Sequence, residues 1–75
     1  MLDPVIVGKV IHQVREKKGI SQEVVSGLAD IGRTHLSAIE RGARKPTIET
    51  FFRIADAMGI KASVLMKQIE DEIQK

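Results

Sequence analysis

The sequence contains no cysteine, tryptophan or tyrosine, and its only aromatic residues are Phe51 and Phe52. Without cysteine the chain forms neither disulfides nor thiolate metal sites, which suits a reducing compartment, so we expect a cytoplasmic protein. No window approaches about 18 apolar residues, and no charged leader precedes an apolar run. We therefore expect neither membrane insertion nor export.

Groups that carry catalytic or metal chemistry are also few. The two histidines, His12 and His35, lie far apart and have no paired acidic cluster beside them, so the sequence predicts no metal site and no cofactor. His35 and Ser37 lack an acid that would orient the histidine, which excludes a nucleophilic triad. The glycines match no phosphate-cradling loop. We do not expect an enzyme.

The chain of 75 residues is short enough to be one domain, which we place at residues 1–75, with no room for a separate effector-binding domain. No small-molecule effector is therefore expected. Lysine and arginine outnumber the acids by only 12 to 10. From Arg33 to Lys45, however, four basic residues stand against Glu40 alone, whereas acids prevail at the C-terminus. A focused basic segment is typical of a nucleic-acid-binding surface.

The segment from Ser21 to Pro46 predicts two short helices, a tight turn and a basic loop. Ser21 is a good N-cap, and Val24, Val25 and Leu28 form a predicted buried stripe on the first of these helices. Asp30 tolerates the left-handed backbone that a tight turn requires. Ile31 is the apolar residue that such a turn places beneath it, and Gly32 caps the second helix.

The second helix of this segment has two chemically different sides. Its predicted buried stripe comprises His35, Leu36 and Ile39. The opposite side carries hydrogen-bond donors and one methyl group, from Arg33, Thr34, Ser37, Ala38 and Arg41. A helix with arginines and small hydroxyl residues on its solvent side is shaped to enter a groove.

Three further helices complete the prediction. Asp3 and Pro4 begin a helix that runs to about Lys18 and buries Val7, Val10, Ile11 and Val14, while Gly8 allows a close neighbour. Thr47 caps a central helix that ends at Gly59, with one phenylalanine in the core and the other nearer the surface. Its apolar run comprises Ile48, Phe51, Phe52, Ile54, Ala55 and Met58. The last helix starts near Ala62, behind Lys61, which is a weak cap.

Together these segments resemble the helix-turn-helix domain of the Cro and CI repressor-like (Xre-type) transcription regulators. The residues that carry the resemblance are Ile11, Val14, Arg15, Gly19, Ser21-Gln22-Glu23, Val25, Ile31, Leu36, Ile39-Glu40-Arg41-Gly42, Arg44-Lys45-Pro46, Ala55, Met58-Gly59-Ile60 and Leu65. The resemblance implies an all-α, five-helix, lambda-repressor-like DNA-binding domain with the helix-turn-helix at helices 2 and 3. Proteins of this type and size include phage repressors, restriction-modification controller proteins and antitoxin subunits.

The resemblance further implies a homodimer that binds operator DNA and regulates transcription, with a recognition helix at residues 33–41 in the major groove. Carried over by position, the base-contacting residues are Arg33, Thr34, Ser37 and Ala38. The phosphate-contacting residues are Gln22, Arg41, Arg44, Lys45 and Thr47. A helix N-terminus disfavours cations, so the position of Arg33 favours a role in binding over a plain solvated arginine. Small polar residues and a basic loop are common on any exposed surface, which leaves the plainer interpretation open for the others.

The resemblance also pairs Arg15 of helix 1 with Glu40 at the end of the recognition helix. We interpret this ion pair as structural, because a partly buried carboxylate requires a fixed partner. His12 is predicted to be either a phosphate donor or a surface residue. The chain departs from its relatives at Ser26, Gly27, Asp30 and Gly32, all of which stay small or compatible with a turn.

The last helix has two open interpretations. Leu65, Ile69 and Ile73 form a stripe that either packs on its own domain or, as we favour, makes a dimer interface within residues 62–75. A rival function follows from the same stripe: a protein-interaction module, such as an antitoxin-like or adaptor subunit, that keeps the helix-turn-helix as a scaffold.

Overall fold

The computed structural model describes residues 2–75, so Met1, which we counted in the predicted domain, lies outside the described residues. Five helices and no strand occur in this part of the chain. They are α1 (Pro4–Lys17), α2 (Gln22–Ala29), α3 (Arg33–Glu40), α4 (Ile48–Ala57) and α5 (Ala62–Ile73). The all-α, five-helix prediction is confirmed.

Short-range signals begin and end these helices as the sequence predicts. The side chains of Asp3, Ser21 and Thr47 accept hydrogen bonds from the backbone amides of the first turns of α1, α2 and α4, at 2.9–3.1 Å. Asp30 adopts the left-handed conformation, with φ 56° and ψ 45°, and turns the chain between α2 and α3. Lys61 makes no capping hydrogen bond at the start of α5, as its weak cap predicts.

The helices enclose one apolar core. α1 packs against α3 and α5, α2 packs against α3 and α4, and α4 packs against α5. The buried apolar side chains of the core are Val7, Val10, Ile11, Val14, Val25, Ala29, Leu36, Ile39, Phe51, Ile54, Ala55, Met58, Leu65 and Ile69. This core fixes α3 through its buried Leu36 and Ile39, which leaves the opposite side of that helix in solvent.

Gly8 brings α1 and α3 into direct backbone contact. A Cβ atom at Gly8 would lie 2.8 Å from the carbonyl oxygen of Glu40 and closer still to that of Ile39. Both atoms belong to the main chain and cannot rotate away. The predicted close neighbour at Gly8 is therefore the last turn of α3.

The stripe predicted for α2 is wrong in two of its three members. Val24 and Leu28 are 49% and 68% exposed, whereas Val25 is fully buried. The buried side of α2 is instead Val25, Ser26 and Ala29. Small residues at two of these positions let α2 approach α3 and α4 closely, and the bulkier pair turns to solvent. In α4 the predicted run likewise includes two exposed members, Ile48 at 78% and Phe52 at 56%, the latter being the phenylalanine expected nearer the surface.

The dimer interface predicted on α5 is wrong for Leu65 and Ile69. Both side chains are completely buried in the core of the same chain, so a partner cannot reach them. The stripe lies on the side of α5 that packs against α1 and α4. Ile73, one turn further on, is 38% exposed and is the only one of the three that a partner could contact.

Candidate nucleic-acid interface

The solvent side of α3 presents the residues that the sequence assigned to base edges. Arg33 and Thr34 are exposed, and Ser37 and Ala38 are half-buried. Leu36, on the opposite side of the helix, is completely buried. The structure therefore brings all four predicted base-contacting residues to one side of one helix.

Basic side chains on and after α3 are left without a counter-charge. Arg33, Arg41, Arg44 and Lys45 are exposed, and none forms an ion pair within residues 2–75. Several basic residues elsewhere are paired with carboxylates, namely Lys9, Arg53, Lys67 and Lys75. The single acid in this segment, Glu40, is turned inward and 3% exposed in its side chain. An uncompensated basic surface attracts a polyanion.

Glu40 is the centre of a cluster of polar side chains that joins the first three helices. Arg15 donates from Nε to Oε2 at 2.7 Å and from Nη2 to Oε1 at 3.0 Å, which is a bidentate ion pair. The third nitrogen of the same guanidinium, Nη1, donates to the carbonyl of Ile20 at 2.8 Å. His12 Nδ1 lies 2.8 Å from Glu40 Oε1, and Gln22 Nε2 donates to the same oxygen at 3.2 Å. We call Glu40, Arg15, His12 and Gln22 the Glu40 cluster.

The cluster keeps Glu40 ionised inside the protein. Burial raises the pKa of Glu40, but the hydrogen bonds from Arg15, His12 and Gln22 outweigh it, so that the pKa lies below its ordinary value. The hydrogen bond to Glu40 likewise raises the pKa of Arg15. The predicted Arg15–Glu40 ion pair is present in the structure, and its burial fits the structural role proposed for it.

His12 has a structural role, as a partner of Glu40, that the sequence did not predict. A carboxylate oxygen only accepts, so His12 Nδ1 must carry a hydrogen to bond Glu40, and it then cannot accept from Arg15 Nη2 at 3.3 Å. The signal that could have revealed this role is spacing. His12 precedes Arg15 by three residues and therefore lies on the same side of α1.

Two predicted phosphate contacts have partners within the protein. The amide of Gln22 is half-buried and bound to Glu40, so it is held at the first turn of α2. Gln22, Ser21 and Arg33 line one shallow concavity together with residues at the end of α1 and in the turn that follows it. The hydroxyl of Thr47 accepts from the amide of Thr50 and donates to its Oγ1 at 3.0 Å. Thr47 is thus occupied as a helix cap, and a phosphate would compete for its hydrogen.

Comparison with known proteins identifies the family to which this fold belongs. The helix-turn-helix family model matches residues 11–65, from the middle of α1 to the first turn of α5. The chain belongs to the helix-turn-helix family. The family therefore covers α2, α3 and the Glu40 cluster, which are the elements that build the solvent face of α3.

Two curated relatives in this family are regulators. An uncharacterised HTH-type transcriptional regulator, y4dJ, of Sinorhizobium fredii is 36% identical over 55 residues, which are 73% of this chain and 71% of the relative. The control protein C.MunI of a Mycoplasma species is 36% identical over 58 residues, which are 77% of this chain and 78% of the relative. The prediction of a helix-turn-helix transcription regulator is confirmed.

A solved structure extends the likeness to the complete fold. The restriction-modification controller protein C.Esp1396I, crystallised as a tetramer with its natural 35-base-pair operator, matches with a TM-score of 0.90 and 29% identity. The match covers 100% of this chain and 99% of the controller protein. Within residues 2–75, none of the helices combines the length and apolarity needed to cross a bilayer.

Proposed function

We propose that this helix-turn-helix protein binds an operator in double-stranded DNA as a homodimer and so regulates transcription. The observation that carries the proposal is the solvent side of α3, where Arg33, Thr34, Ser37 and Ala38 lie together while Leu36 and Ile39 seal the core. An α-helix of this kind fits the major groove, and its side chains reach base edges there. The proposal places the protein with the DNA in the cytoplasm.

Affinity in this proposal comes from the basic loop and the start of α2. Arg41, Arg44 and Lys45 are exposed cations that form no ion pair within residues 2–75, and each can approach a phosphate. Gln22 stands at the N-terminus of α2, where the helix dipole favours an anion. Phosphate contacts displace bound cations from DNA, so binding should weaken steeply as salt rises.

Arg33 and Lys45 should differ in what their removal changes. Arg33→Ala is expected to weaken binding to the preferred duplex by about 5- to 150-fold, equivalent to about 1–3 kcal/mol, and to relax the preference at one base pair, because a bidentate guanine contact is lost. Lys45→Ala should weaken all duplexes alike and reduce the slope of log affinity against log salt by about 1. Selection from a random DNA pool, followed by gel shifts at two salt concentrations, measures both effects.

The control for these variants is Arg53→Ala, which removes an exposed arginine of α4 that is already paired with Glu49. It should leave both sequence preference and salt slope unchanged. The DNA-binding proposal fails if the wild-type chain binds no duplex at low ionic strength. The assignment of α3 fails if Arg53→Ala and Arg33→Ala act alike.

For the homodimer we propose an apolar surface made of Leu2, Ile48, Met66 and Ile73. Leu2, Ile48 and Ile73 are 41%, 78% and 38% exposed. Leu2 and Met66 line two concavities, one of about 200 Å³ that Ile48 also lines and one of about 280 Å³ that Ile73 also lines. Lys45 and Thr47 also line the concavity that contains Ile48, so the surface is continuous with the basic loop. A two-fold interface here would bring the basic loops of two copies near the symmetry axis. The tetrameric state of C.Esp1396I on its operator supports self-association in this fold.

The dimer surface can be tested by placing a charge in it. Ile48→Asp and Ile73→Asp should each shift the chain toward the mass of a monomer in analytical ultracentrifugation, because a buried unpaired carboxylate opposes association. Leu28→Asp is the matched control, since Leu28 is 68% exposed on a different helix. If Leu28→Asp dissociates the dimer and Ile48→Asp does not, the interface lies on α2 instead.

A further inference from the structure

We propose that Glu40, itself held by Arg15 and His12, is a positioning residue that fixes the Gln22 side chain before DNA arrives. The inference rests on the proposed function, since it assigns Gln22 to a phosphate. The Glu40 side chain is only 3% exposed, and it acts on DNA only through the amide that it holds. The Glu40 cluster thus has a second role beside joining α1 to α3.

Three side-chain donors converge on Glu40 Oε1. His12 Nδ1 lies at 2.8 Å, Arg15 Nη2 at 3.0 Å and Gln22 Nε2 at 3.2 Å. Gln22 is thus held by a carboxylate that has other partners on α1. The bonds to Arg15 fix Glu40 in two directions, because the guanidinium also binds the other carboxylate oxygen at 2.7 Å.

The Gln22 amide retains free hydrogen-bonding capacity after it binds Glu40. A carboxamide nitrogen carries two hydrogens, and only one bond from Gln22 Nε2 is present within residues 2–75. The residue is half-buried at the first turn of α2, beside the exposed Arg33. The second hydrogen is thus available for a phosphate oxygen on a side chain whose rotamer is already set.

A Gln22 side chain that is ordered before DNA arrives should raise the affinity for DNA. A glutamine that must be immobilised when DNA binds opposes association through lost rotamer freedom, which corresponds to a roughly 2- to 10-fold loss of affinity for one long side chain. Glu40 removes this loss by ordering Gln22 in the free protein. We therefore expect the contribution of Gln22 to DNA binding to depend on Glu40, although Glu40 touches no DNA.

The first test measures side-chain motion in the free wild-type protein. Nitrogen-15 relaxation of glutamine side-chain amides should show Gln22 to be more ordered than the exposed Gln13, Gln68 and Gln74, which make no side-chain hydrogen bonds within residues 2–75. These three residues are internal controls in the same sample. If Gln22 is as mobile as they are, the inference is overturned whether or not the protein binds DNA.

The second test is a thermodynamic cycle on DNA binding, using the duplex recovered by selection. Arg15→Met with Glu40→Leu replaces the buried ion pair by apolar side chains, a change that often preserves folding, and it removes the acceptor for Gln22. Gln22→Ala should weaken binding about 2- to 10-fold more in the wild-type background than in this double variant. If the double variant does not fold, Glu40→Asp keeps the charge beside Arg15 and withdraws the acceptor from Gln22.

The outcomes separate this inference from the proposed function. Equal effects of Gln22→Ala in both backgrounds would mean that Glu40 does not position Gln22, even if the chain binds DNA well. A chain that binds no duplex overturns the DNA-binding proposal, and with it any role of Gln22 toward phosphate. A rigid Gln22 amide in that chain would show that the Glu40 contact alone is correct.

Discussion

Replacement of Glu40 by glutamine is expected to destabilise the folded chain by about 3–5 kcal/mol, because it removes the buried carboxylate that pairs with Arg15. The only carboxylate then left near the guanidinium within residues 2–75 is that of the exposed Glu16, 3.6 Å from Arg15 Nη1. Arg15 is only 6% exposed, so little water can reach its guanidinium in place of the carboxylate. For a chain of this size such a loss is a large fraction of the whole stability. Urea unfolding monitored by circular dichroism measures the effect. The urea concentration at the midpoint should fall, while the slope of the unfolding free energy against urea concentration stays constant.

The matched control is Glu49→Gln. Glu49 and Arg53 form an ion pair of the same 2.7 Å length as that between Glu40 and Arg15, but their side chains are 73% and 47% exposed. An exposed pair of this kind contributes about 0–1 kcal/mol. Similar losses in the two variants would contradict the role given to burial.

The stability supplied by Glu40 should also depend on pH with a definite sign. The pKa of Glu40 in the folded chain lies below the ordinary value of 4.5 that applies on unfolding. As the pH falls, the unfolded chain therefore takes up the proton first, and the contribution is complete above about pH 4.5 and is lost as the pH falls through the folded pKa. The difference in unfolding free energy between wild type and Glu40→Gln should shrink below pH 4.5.

Glu72 is another carboxyl group whose pKa lies below its ordinary value, and the comparison with the variant removes its contribution. Hydrogen bonds from Lys75 and Lys9 lower the pKa of Glu72, whose side chain is 19% exposed. Glu72 is present in both proteins, so its effect cancels in the difference. A difference that stays constant from pH 7 to pH 3 would exclude Glu40 as the titrating group.

The second large effect is expected at Gly8. Gly8→Ala should destabilise the chain by about 1–3 kcal/mol or more, because the added methyl group would collide with the carbonyl oxygens of Ile39 and Glu40. Relief requires α1 and α3 to separate, so the substitution should also disturb the Arg15–Glu40 distances and weaken DNA binding. Thermal unfolding and a gel shift on the same variant measure both consequences.

Gly27 provides the opposite expectation from the same chemical change. It lies within α2, and a Cβ atom there would meet nothing within 4 Å. Gly27→Ala should therefore stabilise the chain by about 0.5–1 kcal/mol through helix propensity alone. If both variants were stabilised, the close approach of α1 and α3 would not exist in solution.

Features that depend on neighbouring residues in the chain could be predicted from the sequence. Asp3, Ser21 and Thr47 cap helices because a side-chain oxygen reaches an amide two or three residues later. Asp30 takes the left-handed conformation for a similarly local reason. These signals, together with apolar periodicity, were sufficient to place all five helices and the solvent side of α3.

Features that depend on helix packing could not be predicted in the same way. In a helix of eight residues, Val24 with Leu28 and Val25 with Ala29 are both rows at helical spacing, and only the positions of α3 and α4 decide which row is buried. The partners of Glu40 include Gln22 and His12, which lie 18 and 28 residues away in the chain. Contacts between groups so far apart require the fold.

The most direct test of the account follows backbone amide chemical shifts while a selected duplex is added to the labelled protein at low ionic strength. We predict that the largest changes occur in residues 33–41, in the first turn of α2 and in the loop of residues 41–47, and that added salt reverses them. Absence of any change, or changes confined to α5 and the surface around Ile48, would contradict DNA binding through α3.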